Sequence, residues 1–215
     1  MQIFKIGALI LAGWLFGGME AQAGDSFYEP LPAMQHPADN PFSKEKEALG
    51  KMLYFDPRLS GSNWISCATC HNPALGWGDG LKRAIGNGQA ELGRHSPTIV
   101  NSGYFESQFW DGRAKTLEEQ ALGPIQAAGE MNQSMDELIL ELKAIPGYAS
   151  KFKKVFGDSG ITPQNIGKAI ATFERSVVSR NAPYDKYSNG KKKAMSASAV
   201  SGMHLFVGKA KSVIC

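Results

Sequence analysis

The sequence predicts a mostly α-helical chain, and three observations carry that expectation. Apolar residues recur three and four positions apart in several segments after residue 43, the spacing of one buried helix face. Those segments open on Ser or Thr and close near Gly or Pro, residues that satisfy or terminate helix ends. No segment alternates apolar and polar residues long enough to read as a strand.

Taken in order, a Pro-rich lead from Tyr28 to Pro41 is expected to be extended. Ser43 starts a short helix with Leu49, Met52 and Leu53 as its stripe, stopping at Asp56-Pro57. Thr116-Leu117-Glu118-Glu119 reads as a capping box whose helix ends at Gly123-Pro124. Ser134-Met135-Asp136-Glu137 is a second box, followed by Met135, Leu138, Ile139, Leu142 and Ile145 on one face. Pro146 closes that helix and opens another with Tyr148, Phe152, Val155 and Phe156. Thr162-Pro163 caps a longer helix with Ile166, Ile170, Phe173 and Val177 inside. Arg180 to Lys193 reads as a loop, and Ser198 to Val207 as a last helix with Val200, Met203, Phe206 and Val207 on one side.

Residues 57–103 fit none of this, being rich in Gly, Asn, Ser and Pro without a period. So long an irregular stretch sits badly in a compact domain unless something else supplies its core. A large apolar cofactor would do so.

Composition is ordinary for a globular protein, at 43% hydrophobic and 20% charged over 215 residues. The formal net charge of +3 is too mild for a nucleic-acid partner, and Lys191-Lys192-Lys193 reads as a solvated turn. Lys5, the apolar run Ile6–Phe16 and Ala21-Gln22-Ala23 together read as a secretory signal peptide over 1–23, cleaved near Gly24. That run is short for a transmembrane helix, so the expected mature protein is exported to the periplasm and spans no membrane.

The cysteines are Cys67, Cys70 and Cys215. Cys67-Ala68-Thr69-Cys70-His71 places two thiols and an imidazole on one helical turn. Thioethers from Cys67 and Cys70 to the vinyl groups of one porphyrin, with His71 on its iron, make this a c-type haem motif. A redox dithiol would prefer a βαβ context, and a zinc site would need two further ligands at short spacing. A plain disulfide between Cys67 and Cys70 is the remaining alternative in an exported chain.

The surrounding residues carry a family resemblance. Leu49-Gly50-Lys51-Met52-Leu53-Tyr54-Phe55-Asp56-Pro57-Arg58-Leu59-Ser60 leads into Ser66–Pro73 around the cysteines. Arg94-His95-Ser96-Pro97-Thr98, Phe109-Trp110-Asp111-Gly112-Arg113, Leu117-Glu118-Glu119-Gln120-Ala121 and Gly129-Glu130-Met131 follow. In order and spacing these resemble the bacterial dihaem cytochrome c peroxidases, a family that includes the dihaem enzymes of tryptophylquinone maturation.

The resemblance implies a cytochrome c-like haem domain with long irregular loops, over residues 43–180, plus the start of a second such domain over 181–215. The lead occupies 24–42. It implies reduction of hydrogen peroxide at the first haem, with electrons from a small donor protein, a cytochrome c or a cupredoxin, and it allows a homodimer. Glu130 matches an acidic residue beside the peroxide-reducing iron, Gln120 another lining residue of that pocket, and Trp110 an aromatic between the two haems. Rival functions are a monohaem electron-transfer cytochrome c and a dihaem enzyme that oxidises a partner protein's side chain.

Three departures qualify the match. Ile85-Gly86-Asn87-Gly88 has Asn87 where many relatives place an iron-ligating His, which predicts an open or water-ligated sixth position. His95 replaces an Asn near the family's calcium, and imidazole suits that hard ion poorly, so calcium is not expected. His36 and His204 read as ordinary surface residues. Finally, Gly202–Lys211 reads like the approach to a second haem motif, but Ser212 stands where its first cysteine belongs and the sequence given stops at Cys215. The expectation is a C-terminally truncated chain with one complete haem site, slow relay past Trp110, and weak or absent turnover.

Overall fold

A computed structural model describes residues 29–210. Residues Leu31–Ala182 form one compact unit, and the stretch from Pro183 belongs to another. The signal-peptide segment, Ser212 and Cys215 lie outside the described residues.

The first unit is helical. α1 (Lys44–Tyr54) starts where Ser43 Oγ accepts from Lys46 N–H, and acidic Glu45 and Glu47 suit its positive N-terminus. The Cys67–His71 motif contributes α2 (Cys67–Cys70). α3 (Leu117–Gln126), α4 (Met135–Ala144), α5 (Pro146–Phe156) and α6 (Pro163–Glu174) follow. Thr162 Oγ1 caps α6 and Pro163 occupies its first turn, where the missing N–H costs nothing. The described residues form no strand, only isolated bridges such as Asn72 with Gly78.

α6 is the centre, packed between α1 and α3. Two glycines permit the close approach. A Cβ on Gly50 would lie 1.9 Å from the Ala169 carbonyl oxygen, and one on Gly167 would lie 2.6 Å from that of Glu118. Leu49, Leu53, Leu138, Leu142, Phe152, Ile166 and Ile170 fill the core. Burying each such side chain contributes about 1.5–3 kcal/mol.

Asn40 anchors the proline-rich lead. Its amide donates to Glu118 Oε1 (2.7 Å) and to the Lys168 carbonyl (3.0 Å), and its oxygen accepts from Lys46 Nζ at 2.8 Å. Arg175 holds Glu118 in a two-point ion pair at 2.6 and 3.0 Å.

The structure corrects several sequence expectations. α3 runs through Pro124 to Gln126. The proline removes only its own N–H, and the Ala127 amide still closes the turn onto the Gly123 carbonyl. Both capping boxes have one arm. Glu119 accepts from the Lys115 amide instead of Thr116, and Gln133 instead of Glu137 accepts from the Ser134 amide. Met52 is 39% exposed, off the α1 stripe. In the second unit, α7 (Pro183–Ser188) occupies part of the expected loop. α8 (Ala197–Val207) forms as expected, but none of its residues is buried. No helix among the described residues is long and apolar enough to cross a membrane.

Candidate functional site

α2 is a single turn. Thr69 Oγ1 accepts from the Ser66 amide at 2.9 Å, and the His71 amide donates to the Cys67 carbonyl at 2.9 Å. This closure brings Cys67, Cys70 and His71 to the wall of one cavity of about 950 Å³. That is at the upper end of ligand-pocket sizes.

Burial, with Glu174 nearby, pushes the Cys67 thiol up to about 12, and burial raises Cys70 as well. Redox-active and zinc-binding cysteines need the opposite shift, toward thiolate. The two are free thiols, and among the described residues no three His, Cys, Asp or Glu side chains gather as a metal site would require. His71 Nδ1 lies 2.9 Å from the Pro97 carbonyl and 3.3 Å from that of Trp77. Carbonyls only accept, so Nδ1 carries the hydrogen and Nε2 keeps the lone pair an iron needs. Burial holds the His71 pKa below its ordinary value, in the neutral ligating form.

α3 and the turn after it supply further wall, with Gln120, Pro124, Glu130 and Met131. Glu130 is half-buried, and burial raises its pKa against the pull of the Arg113 guanidinium. The Asn87 amide donates to the carbonyls of Gly129 (3.0 Å) and Glu130 (2.9 Å). A Cβ on Gly86 would lie 1.9 Å from the Gly129 oxygen, so backbone meets backbone there. The Ile85–Gly88 segment thus buttresses the Glu130 turn, and Asn87 is not among the residues lining the cavity.

Trp110 lines the cavity yet is 62% exposed, with its indole N–H donating to the His95 carbonyl at 2.9 Å. It is a rim residue. His95 also lines the cavity, with Nδ1 2.6 Å from the Leu81 carbonyl and 3.8 Å from Asp79 Oδ1. His204 is exposed as expected. His36 is half-buried against the Phe42 ring at 5.3 Å, which corrects its reading as a surface residue.

Tyr54 and Glu174 were not anticipated as site residues. Both line the cavity, and burial raises the Glu174 pKa to about 8. Glu174 is four residues after Ile170, on the apolar face of α6, a position at which a carboxylate is conspicuous. Glu174 Oε2, Tyr54 Oη and Ser102 Oγ are buried without hydrogen-bond partners among the described residues. Unmatched polar atoms around a large apolar cavity are what a wall built to hold a bound group leaves when considered alone. The thiols, imidazole and cavity therefore fit a c-type haem.

Comparison with known proteins agrees. The di-haem cytochrome c peroxidase family matches over residues 44–193. The methylamine utilization protein MauG of Methylorubrum extorquens is 49% identical over 184 residues, covering 85% of this chain and 52% of its own. The cytochrome c551 peroxidase of Pseudomonas aeruginosa is 36% identical over 215 residues, covering 96% of this chain and 61% of its own. A crystal structure of a MauG-like protein associated with microbial copper homeostasis superposes with a TM-score of 0.77 at 33% identity, covering 83% of this chain and 53% of that one. The chain spans about half the length of these relatives. It belongs to the di-haem cytochrome c peroxidase family, whose members carry c-type haem.

Proposed function

We propose that this chain binds one c-type haem through Cys67, Cys70 and His71 and reduces hydrogen peroxide to water beside Glu130. The supporting observation is that one cavity holds both a neutral, oriented His71 and a half-buried carboxyl, Glu130. When bound, haem supplies the iron that takes peroxide and the redox equivalents that split its O–O bond. Glu130 accepts the proton of the near oxygen and returns it to the far one, so that water can leave. Its raised pKa brings both of its forms closer to working pH. Gln120 orients the peroxide by hydrogen bonding. The Asn87 backbone N–H holds the Glu130 turn in place, and with no imidazole Asn87 would offer the iron no ligand from this segment.

Electrons come from a small donor protein, a cytochrome c or a cupredoxin, by way of the rim residue Trp110. The protein works in the periplasm after removal of its signal peptide. A second reading, oxidation of a partner protein's side chain, is favoured by the 62% exposure of Trp110 and by the likeness to MauG.

The test is stopped-flow mixing of the ferric holoprotein with hydrogen peroxide. A fast change in the haem band is expected, slowed in Glu130→Gln by a factor on the order of 10²–10⁴. A resting spectrum of low-spin iron with two strong axial ligands, together with no reaction, would leave an electron carrier as the better reading.

A further inference from the structure

Trp77 joins two places that are otherwise separate. Its carbonyl is one of the two acceptors that hold His71 Nδ1, at 3.3 Å. Its ring packs 6.0 Å from Phe173 and 6.3 Å from Phe55, centroid to centroid. These three rings help wall an open groove of about 640 Å³ that is distinct from the haem cavity.

The backbone at Trp77 is held in an unfavourable state. Its φ of +64° is left-handed, which costs a bulky residue roughly 1–3 kcal/mol. Neighbouring hydrogen bonds over-determine it. The Trp77 amide donates to the Asn72 carbonyl at 2.8 Å, and the Asn72 amide donates to the Gly78 carbonyl at 2.9 Å. The strain places one residue with its carbonyl on the iron ligand and its indole in the groove.

We propose that Trp77 relays single electrons from the groove to haem carried on His71, and that the groove takes small neutral aromatic donors, hydroquinones or phenols. The proposal rests on the haem reading above. The phenylalanine rings beside Trp77 are too hard to oxidise to serve as relays. Tyr54 Oη is buried and has no described partner to accept its proton, so its oxidation is unfavourable. An indole can give up an electron without losing a proton in the same step. The groove carries one carboxylate, Glu47, and one ammonium, Lys51, which offset each other and favour an uncharged ligand, while its aromatic walls favour a flat one.

The electron balance is as follows. With the haem oxidised by peroxide, the Trp77 indole gives it one electron and becomes a radical cation. A hydroquinone in the groove returns one electron to Trp77, releases a proton to water and leaves as an aromatic radical. Two such transfers match the two electrons that one peroxide consumes.

The experiment uses the holoprotein in two arms. In the first, ruthenium tris-bipyridine and a sacrificial quencher oxidise the protein by laser flash without peroxide. In a Trp64→Phe/Trp110→Phe background, which removes the two exposed indoles, an indole-radical transient is expected, lost when Trp77→Phe is added and replaced by a tyrosine-type radical with Trp77→Tyr. In the second, hydroquinone re-reduces the peroxide-treated protein, and Trp77→Phe slows this step by roughly tenfold or more. Trp77→Tyr recovers part of the rate, and re-reduction is compared with the peroxide reaction measured for the same variant. A haem count and the resting spectrum establish that each variant keeps its haem on His71. The proposal falls if, in the background without Trp64 and Trp110, Trp77→Phe keeps the flash-induced indole radical, or if Trp77→Phe is re-reduced as fast as wild type. If the wild-type protein does not react with peroxide at all, the peroxidase reading fails, while the flash arm still decides the relay.

Discussion

Residues 57–113 make one four-residue α-helix and short 3-10 turns such as Pro73–Leu75 and Ser102–Tyr104, whereas residues 117–174 are almost continuous helix. Five of the seven described non-glycine residues with positive φ fall in the first stretch: Asn63, Trp77, Gln89, Asn101 and Phe109. Most of the largest fully buried side chains belong to the helices, among them Leu49, Tyr148, Phe152 and Ile166, while the loops add Leu59 and Ile65. The helical half carries its own core. The loop half packs around a cavity. Conformational cost tolerated in the loops is matched by the site they build, since His71, Trp77 and Pro97 all come from this half.

The contrast can be broken most sharply by removing the haem. In a Cys67→Ser/Cys70→Ser double variant, covalent haem should disappear from a denaturing gel. Hydrogen exchange should then rise across residues 57–113 and stay slow in α1, α4, α5 and α6. Uniform loss of protection would mean that the two halves are one cooperative unit.

Chemistry should fail without loss of structure when Glu130 is changed. Glu130→Gln keeps the volume and removes the titrating group, so the peroxide reaction should slow by about 10²–10⁴ while the melting temperature and resting spectrum hold. The converse change is Phe152→Ala in the helical core. Calorimetry should show a loss of about 3–5 kcal/mol of stability, with haem content per folded molecule unchanged.

The smallest expected effect concerns pH. Glu174 has its folded pKa raised to about 8 by burial, above its ordinary value of 4.5. Its stabilising contribution is therefore complete below the ordinary value and is lost as pH rises toward about 8. Melting temperature should decline over that window in the wild type, and Glu174→Gln should flatten the decline. An equal slope in both proteins would show that the cavity solvates this carboxyl once haem is bound.

The helical half was largely legible in the sequence. Periodicity marked α4, α5 and α6, and Ser43, Ser134 and Thr162 marked three of the starts. The errors came where local chemistry admits two outcomes. A proline ends many helices, yet at Pro124 the loss of one N–H was tolerated and α3 continued. The stripe of Val200, Met203, Phe206 and Val207 marked α8, which forms with none of its residues buried. In the site, Cys67, Cys70 and His71 were readable because their chemistry fits within one turn. Glu174 and Tyr54 were not, because they reach the cavity from helices distant in sequence.

By itself, then, the sequence determined the helical periods, their caps and the Cys67–His71 motif, all of which depend on residues within about a turn or two of one another. Tertiary structure alone decided which atoms meet across the loops: which carbonyls hold His71 Nδ1, how the Asn87 backbone N–H braces the Glu130 turn, and how Trp77 reaches both His71 and an outer groove. Those contacts join residues whose spacing carries no period. They exist because an irregular chain must satisfy its backbone groups wherever a cavity leaves them room.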